Sequence, residues 1–289
     1  MKKILITGQD SYIGMSFESH MEKVEGYEID TLDMRTPEWK EKDFAPYDVV
    51  FHVAGIAHSD NGKISEERAV LYYEVNTKLA EEVAIKSKEE GVKQIIYMSS
   101  MSIYGDSAGI GQSKMINHMT EPKPTNAYGN SKLQAELKIM PLQSADFNVV
   151  VLRPPMIYGK DSKGNYSTLS KLARKSPVFP NIDNCRSMLY IENLCEFVHL
   201  MIANHESGVF MPQNSEYTRT SEMVKLVAQH NHKYILLTRV FNPFLRLLSP
   251  VLPMINKAFG NLSYEQSVSE YKDNYQIVNF RESIQRTEG

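Results

Sequence analysis

The chain has 289 residues, 42% hydrophobic and 23% charged, with a formal net charge of −3. That is enough for a large domain or two lobes of ordinary globular composition, and the mild acidity gives no footprint for nucleic acid. Two cysteines, Cys185 and Cys195, exclude a disulfide framework and fit a reducing, cytoplasmic setting.

No run of about 20 apolar residues is present, so no transmembrane segment is expected. The first predicted element is a strand over Ile4–Thr7, entered with no signal-type apolar stretch before it. A helix over Tyr12–Lys23, a strand over Tyr27–Leu32 and a strand over Asp48–Val53 follow. Glu66–Glu90 predicts one long helix, with Leu71, Val75, Leu79 and Val83 on its apolar face. Then come a strand over Gln94–Ser99, a helix over Asn126–Met140 and a strand over Phe147–Leu152. Near-continuous apolar strands alternating with helices imply a parallel sheet covered on both faces. The expected fold is α/β, a Rossmann-type doubly wound parallel sheet with a smaller C-terminal substrate-binding lobe. After Arg153-Pro154-Pro155 the alternation breaks into loops and isolated helices. The expected domains are 1–160 for dinucleotide binding and 161–289 for substrate, with a segment near 188–212 returning to the first.

Thr7-Gly8-Gln9-Asp10-Ser11-Tyr12-Ile13-Gly14 occupies the first strand-to-helix turn. Glycines there let backbone approach a pyrophosphate lying on the helix N-terminus. Ser11 stands at the middle of the three usual glycine places, so the cradle formed by Thr7, Gly8, Ser11, Tyr12, Ile13 and Gly14 departs from the common pattern. Asp33, 25 positions after Gly8, has the spacing of a carboxylate that accepts from the adenosine ribose and favours NAD. Arg35 offers a guanidinium suited to a 2′-phosphate, which favours NADP. The cofactor is therefore expected to be NAD or NADP. Ala54 and Gly55, small residues at the third strand's end, leave room for it in the sheet crevice.

Tyr128-Gly-Asn-Ser-Lys132 is a Tyr-x-x-x-Lys pair within a predicted helix. Spacing i, i+4 puts phenol and ammonium on one face. An ammonium nearby lowers a phenol from its usual pKa of about 10, and such a group exchanges a proton with a sugar hydroxyl near neutral pH.

With these stretches, Asp48…His52-Val53-Ala54-Gly55, Asn76, Ser99-Ser100-Met101-Ser102-Ile103-Tyr104-Gly105, Arg153-Pro154-Pro155 and Arg186…Asn193-Leu194 occur in order. Over roughly residues 1–210 the chain resembles the extended short-chain dehydrogenase/reductases, in the sugar-nucleotide epimerase/dehydratase group. The resemblance implies a catalytic set of Ser100, Tyr128 and Lys132. Ser100 would hydrogen-bond the reacting sugar oxygen, Tyr128 would carry the proton, and Lys132 would lower the Tyr128 pKa and hold the nicotinamide ribose. Asn76 resembles the helix asparagine that organises the site, and Pro154 shapes a strand exit near the nicotinamide. Met101 and Ser102 stand where dehydratases of the group carry an acidic pair, and neither side chain serves as that acid or base. This argues against 4,6-dehydration and leaves hydride chemistry at one carbon.

Arg186 matches the arginine that contacts the nucleotide diphosphate, and Asn165 the loop that meets the nucleotide; Asn193 stands in place of an aspartate at the following helix start, where it still caps. The text from Arg153 to Ile191 resembles a bacterial branch associated with capsule and O-antigen clusters. What that implies is reduction of a UDP-4-keto-6-deoxy-N-acetylhexosamine for surface polysaccharide, with a UDP-glucose/UDP-galactose type 4-epimerase as the alternative and a non-catalytic dinucleotide-binding regulator as a further rival. The family also implies a homodimer through the 66–90 and 126–140 helices. No metal site is expected: His230 and His232 have no third ligand near them in sequence. Tyr234–Gly260, apolar with Arg239, Arg246 and Lys257, is expected to form short helices closing the smaller lobe rather than a membrane contact.

Overall fold

The computed structural model describes residues 1–56 and 64–289. The chain forms two compact units, one of residues 1–105, 122–154 and 194–212, the other of 106–121, 155–193 and 213–289.

The first unit is built on β1 (Lys2–Thr7), β2 (Tyr27–Leu32), β3 (Val49–His52), β4 (Gln94–Met98), β6 (Asn148–Leu152) and β10 (Gly208–Phe210). They form one six-stranded sheet in the order β10-β6-β4-β3-β1-β2, and every neighbouring pair is parallel. The order reverses between β1 and β3, so both strands end at a crevice where a doubly wound sheet receives a ligand. Burial explains the strands. Ile4, Leu5, Ile6, Val50, Phe51, Ile95, Ile96 and Val149–Leu152 are inaccessible to solvent, as expected where helices cover both faces.

Helix α1 (Tyr12–Met21) begins at Ser11, whose side chain accepts from Gly14 N–H. The predicted long helix is three pieces. An α-helix, α2 (Glu66–Tyr72), passes into a π-helical stretch over Tyr73–Lys78 and then into α3 (Leu79–Glu89). Wider turns rotate the face that follows. Leu71 is consequently exposed, and Tyr72, Asn76, Thr77, Ala80, Val83 and Ala84 are buried. The 3.6-residue pattern therefore named the wrong face over its first two turns. Helix α4 (Ala127–Ile139) starts at Asn126, which accepts from Gly129 N–H at 2.8 Å. Helix α6 runs over Ile191–Ala203.

The second unit holds three short parallel pairs: β5 (Met115–Ile116) with β12 (Ser263–Tyr264), β7 (Met156–Tyr158) with β9 (Met188–Tyr190), and β8 (Val178–Pro180) with β11 (Leu236–Thr238). Its helices are α5 (Asn165–Lys175), α7 (Thr220–His230), α8 (Asn242–Leu248), α9 (Pro253–Phe259) and α10 (Phe280–Glu288). Glu288 ties α10 to α5, accepting from Tyr166 at 2.8 Å, Ser170 at 3.1 Å and Arg174 at 2.7 Å. Asn193 does not cap α6. It lies inside that helix, its amide bonded to Asn214 at 3.0 Å and the Val278 carbonyl at 2.9 Å. A fully buried amide is satisfied this way at no cost to the helix start.

Candidate active site

The proposed dinucleotide cradle is at the end of β1. Gly8 has φ +125°, and a Cβ there would sit 2.8 Å from the Ala54 backbone nitrogen. Only glycine allows this loop to lie against the end of β3. Ser11 caps α1, and its Oγ would be 2.6 Å from a Cβ on Gly14; this accounts for a serine in the middle glycine's place. Thr7 is buried, its hydroxyl 2.7 Å from His52 Nδ1. Burial drives the His52 pKa down to about 3, with Lys132 adding to the effect, so the ring is neutral.

At the end of β2, Asp33 and Arg35 form a two-pronged pair. Arg35 Nε and Nη2 donate to Asp33 at 2.8 and 2.7 Å, and Nη2 also reaches Asp10 at 3.3 Å. The hydrogen bond from Arg35 holds the Asp33 carboxyl below its usual range. The two residues read as opposite signals in the sequence are thus one ion pair on the surface.

At the ends of β3 and β4 the remaining residues come together. A Cβ on Gly55 would lie 3.0 Å from Asn76 Oδ1 and 3.4 Å from Lys132 Nζ. Asn76, in the π-helical stretch, accepts from Ile56 N–H at 2.9 Å and donates to Ile56 O at 3.2 Å and Ser131 Oγ at 3.1 Å. It therefore ties the loop after β3 to α4. π-Helical turns concentrate at functional sites, and here the turn aims Asn76 inward. Ser100, Tyr128 and Lys132 share this end of the sheet. Tyr128 is hydrogen-bonded to Ser100, and its ring packs edge-on to Tyr72 with centroids 6.1 Å apart. Burial raises the Tyr128 pKa; the Ser100 bond opposes that rise and Tyr72 adds to it. Lys132 Nζ donates to the Met98 carbonyl at 2.8 Å and lies 4.9 Å from the Tyr97 ring centre. Burial lowers its pKa to about 8, against an opposing pull from Glu136, so the ammonium persists at neutral pH. The sequence assigned Lys132 to depress the phenol; in this state burial dominates and the phenol stays protonated. Pro154 is buried, and its carbonyl accepts from Met101 N–H at 2.9 Å.

Sequence reasoning missed the support behind the lysine. Glu136, one turn beyond Lys132 on α4, is buried, and it accepts from Ser99 Oγ and from Arg153 Nη2 at 2.6 Å. Arg153 Nη1 donates to Tyr104 Oη at 2.7 Å. The signal was a charged residue at i+8 from Tyr128, on the same face.

Gly129 explains how Tyr128 reaches Ser100. A Cβ at Gly129 would lie 2.4 Å from the Ser102 carbonyl oxygen. Gly129→Ala is expected to push α4 away and cut kcat by roughly 10²-fold, the order expected for an ångström-scale displacement; steady-state kinetics alongside circular dichroism check it.

In the second unit, Asn165 is exposed at the start of α5, after Gly164 at φ +109°. Arg186 is half-buried, and Nη1 donates to the Lys257 carbonyl at 2.7 Å. Burial lowers its pKa to about 10. Among the described residues one group has ligand-like spacing for a metal, His20, Glu196 and His199. Both imidazoles already meet the carboxylate, at 2.9 and 3.4 Å.

The family model described as "NAD dependent epimerase/dehydratase family" matches residues 4–211. The chain belongs to this family. The turn at the end of β1, with Gly8 at φ +125° and the N-terminus of α1 following it, fits a dinucleotide phosphate in its chemistry. Two curated members are similar in sequence. A UDP-glucose 4-epimerase of Vibrio cholerae is 28% identical over 251 residues, 78% of this chain and 75% of that protein. An N-acetyl-α-D-glucosaminyl-diphospho-ditrans,octacis-undecaprenol 4-epimerase of Escherichia coli O157:H7 is 29% identical over 181 residues, 61% of this chain and 52% of that protein. Solved structures share the fold. A UDP-glucuronic acid 4-epimerase of Bacillus cereus with NAD has TM-score 0.73 at 16% identity, covering 98% of this chain and 96% of that one. A dTDP-4-dehydrorhamnose reductase of Bacillus anthracis with NADP has TM-score 0.73 at 18% identity, covering 99% and 98%.

Proposed function

We propose that this family member transfers hydride at C4 of a UDP-linked sugar, with Ser100, Tyr128 and Lys132 as its catalytic residues. The observation that carries the reading is the half-buried phenol of Tyr128, hydrogen-bonded to Ser100 one helical turn from a buried ammonium. A bound nicotinamide would supply or accept the hydride. Tyr128 passes a proton to or from the C4 oxygen, and Ser100 steadies the charge that develops there. Lys132 holds positive charge at the same end of the sheet. Met101 is buried and Ser102 is bonded to Ser100, so neither of these two positions supplies an acid for dehydration. Arg186 supports a diphosphate-bearing substrate: its guanidinium is desolvated, and among the described residues no carboxylate is recorded against it. Asn165, exposed at the start of α5, is the other substrate contact this reading assigns to the second unit.

Two curated relatives are 4-epimerases, which supports 4-epimerisation as the first reading. The second is net reduction of a 4-keto sugar, supported by the branch resemblance of residues 153–191. Incubation with UDP-galactose, UDP-glucose and their N-acetylated forms should yield the C4 epimer with no net change in NAD(P)H absorbance. NAD(P)H consumption with a UDP-4-keto-6-deoxy-N-acetylhexosamine, and no epimer, would replace the first reading with the second. Neither conversion would overturn both.

The Asp33–Arg35 pair supports NAD over NADP, since a 2′-phosphate would meet the Asp33 carboxylate and compete with it for the guanidinium. Asp33→Asn is expected to move the ratio of kcat/KM values toward NADP by about tenfold or more, by removing a like charge and freeing Arg35. Val70, Leu71 and Tyr73 on one side of the α2 region, and Leu137 on α4, are exposed apolar residues that support a homodimer.

A further inference from the structure

The segment expected to close the smaller lobe leaves many of its apolar side chains in solvent. Tyr234 is 85% exposed, Val240 80%, Leu247 73% and Val251 74%, with Phe244 and Met254 also exposed. On α8 and at its two ends, Phe241, Phe244, Leu247 and Val251 recur at three- and four-residue spacing and so occupy one side of the helix. The inward positions are Leu245, Leu248 and the buried Ser249. Monomeric proteins rarely expose a continuous apolar face of this kind without a partner for it.

Charge identifies the partner. Between Glu222 and Glu265 there is no Asp or Glu, while Lys225, Lys233, Arg239, Arg246 and Lys257 all fall there, in a chain whose net charge is −3. Arg239 and Arg246 are exposed beside the apolar side chains. Phe, Leu and Val flanked by Arg and Lys, with no acidic residue, are the composition of a surface that lies in the interface of an anionic bilayer. Against a second copy of the same face, Arg239 and Arg246 would meet like charges. Spanning is excluded by size: α8 and α9 have seven residues each, about 10 Å of helix, against a hydrocarbon core of about 30 Å.

We propose that residues 234–254 form a peripheral docking surface for anionic phospholipid bilayers, with the outward side of α8 set into the headgroup–acyl boundary and Arg239 and Arg246 on lipid phosphates. The docking is independent of the C4 chemistry proposed above.

Flotation with vesicles of phosphatidylcholine and phosphatidylglycerol, 7:3 against pure phosphatidylcholine, tests it. The expected result is binding to the anionic vesicles at least about tenfold stronger than to the neutral ones, weakened as salt is raised. Leu247→Ser with Val251→Ser should lower that binding by about tenfold or more while the melting temperature and the turnover of a soluble nucleotide sugar stay unchanged; Arg239→Gln with Arg246→Gln should remove the anionic preference. Equal binding by the Ser variant and the parent protein overturns the proposal, as does an absence of binding at millimolar lipid. A dimer, seen by sedimentation without lipid and abolished by the Ser variant, would also overturn it and assign the face to a second copy.

Discussion

Tyr128→Phe is expected to lower kcat by about 10²–10⁴-fold with little change in folding or in bound nucleotide, the range that positioned proton transfer contributes. The phenol hydroxyl is hydrogen-bonded to Ser100, and in the proposed reading it is the group that gives or takes the proton at the substrate oxygen. Its ring is held by Tyr72, so Phe keeps the packing and loses only the hydroxyl. Ser100→Ala should cost less, because it removes a donor and leaves the proton carrier. In the double variant the losses should not add, since the two hydroxyls act through one hydrogen bond. Retention of more than about a tenth of parental kcat by Tyr128→Phe, with unchanged circular dichroism, would show that the proton travels by another route.

The sheet was legible because its central strands are apolar on both faces. Ile4–Ile6, Val49–Phe51 and Val149–Leu152 announce burial without any partner being known. The spacing of Tyr128 and Lys132 put them on one helix face, and Ser100, marked by the family resemblance, is hydrogen-bonded to Tyr128. The Glu66–Glu90 stretch was misread because a π-helical turn leaves no mark in a 3.6-residue pattern, and because its buried side includes Asn76 and Thr77, polar residues whose partners lie 55 and 54 positions away, at Ser131. Asp33 and Arg35 gave contradictory signals for a similar reason: each was weighed alone, and the structure pairs them. Residues 234–254 look like core in sequence because apolar content does not say which way a side chain faces. Gly129 is unremarkable in a helix until the Ser102 carbonyl is placed against it.

Glu136→Ala should be the most damaging substitution for stability, at about 3–5 kcal/mol, because it leaves the Arg153 guanidinium buried without its carboxylate. The side chains of Arg153 and Glu136 are only 14% and 3% exposed, so solvent screens the pair little. For a chain of this size the loss should appear as a fall in Tm of roughly 5–15 °C by calorimetry. The same carboxylate acts on Lys132. Burial pulls the lysine down to about 8 and Glu136 pulls it up. Removing that negative charge favours the neutral amine, so the lysine pKa falls further. A pH–rate profile that depends on the ammonium should then lose its activity at lower pH on the basic side. Glu136→Gln combined with Arg153→Met separates the two roles. Replacing both charges removes the unpaired guanidinium and should restore most of the Tm, whereas the basic limb of kcat/KM should remain displaced to lower pH. If the limb returns to its parental position along with the Tm, Glu136 is a structural partner of Arg153 and has no electrostatic hold on the lysine.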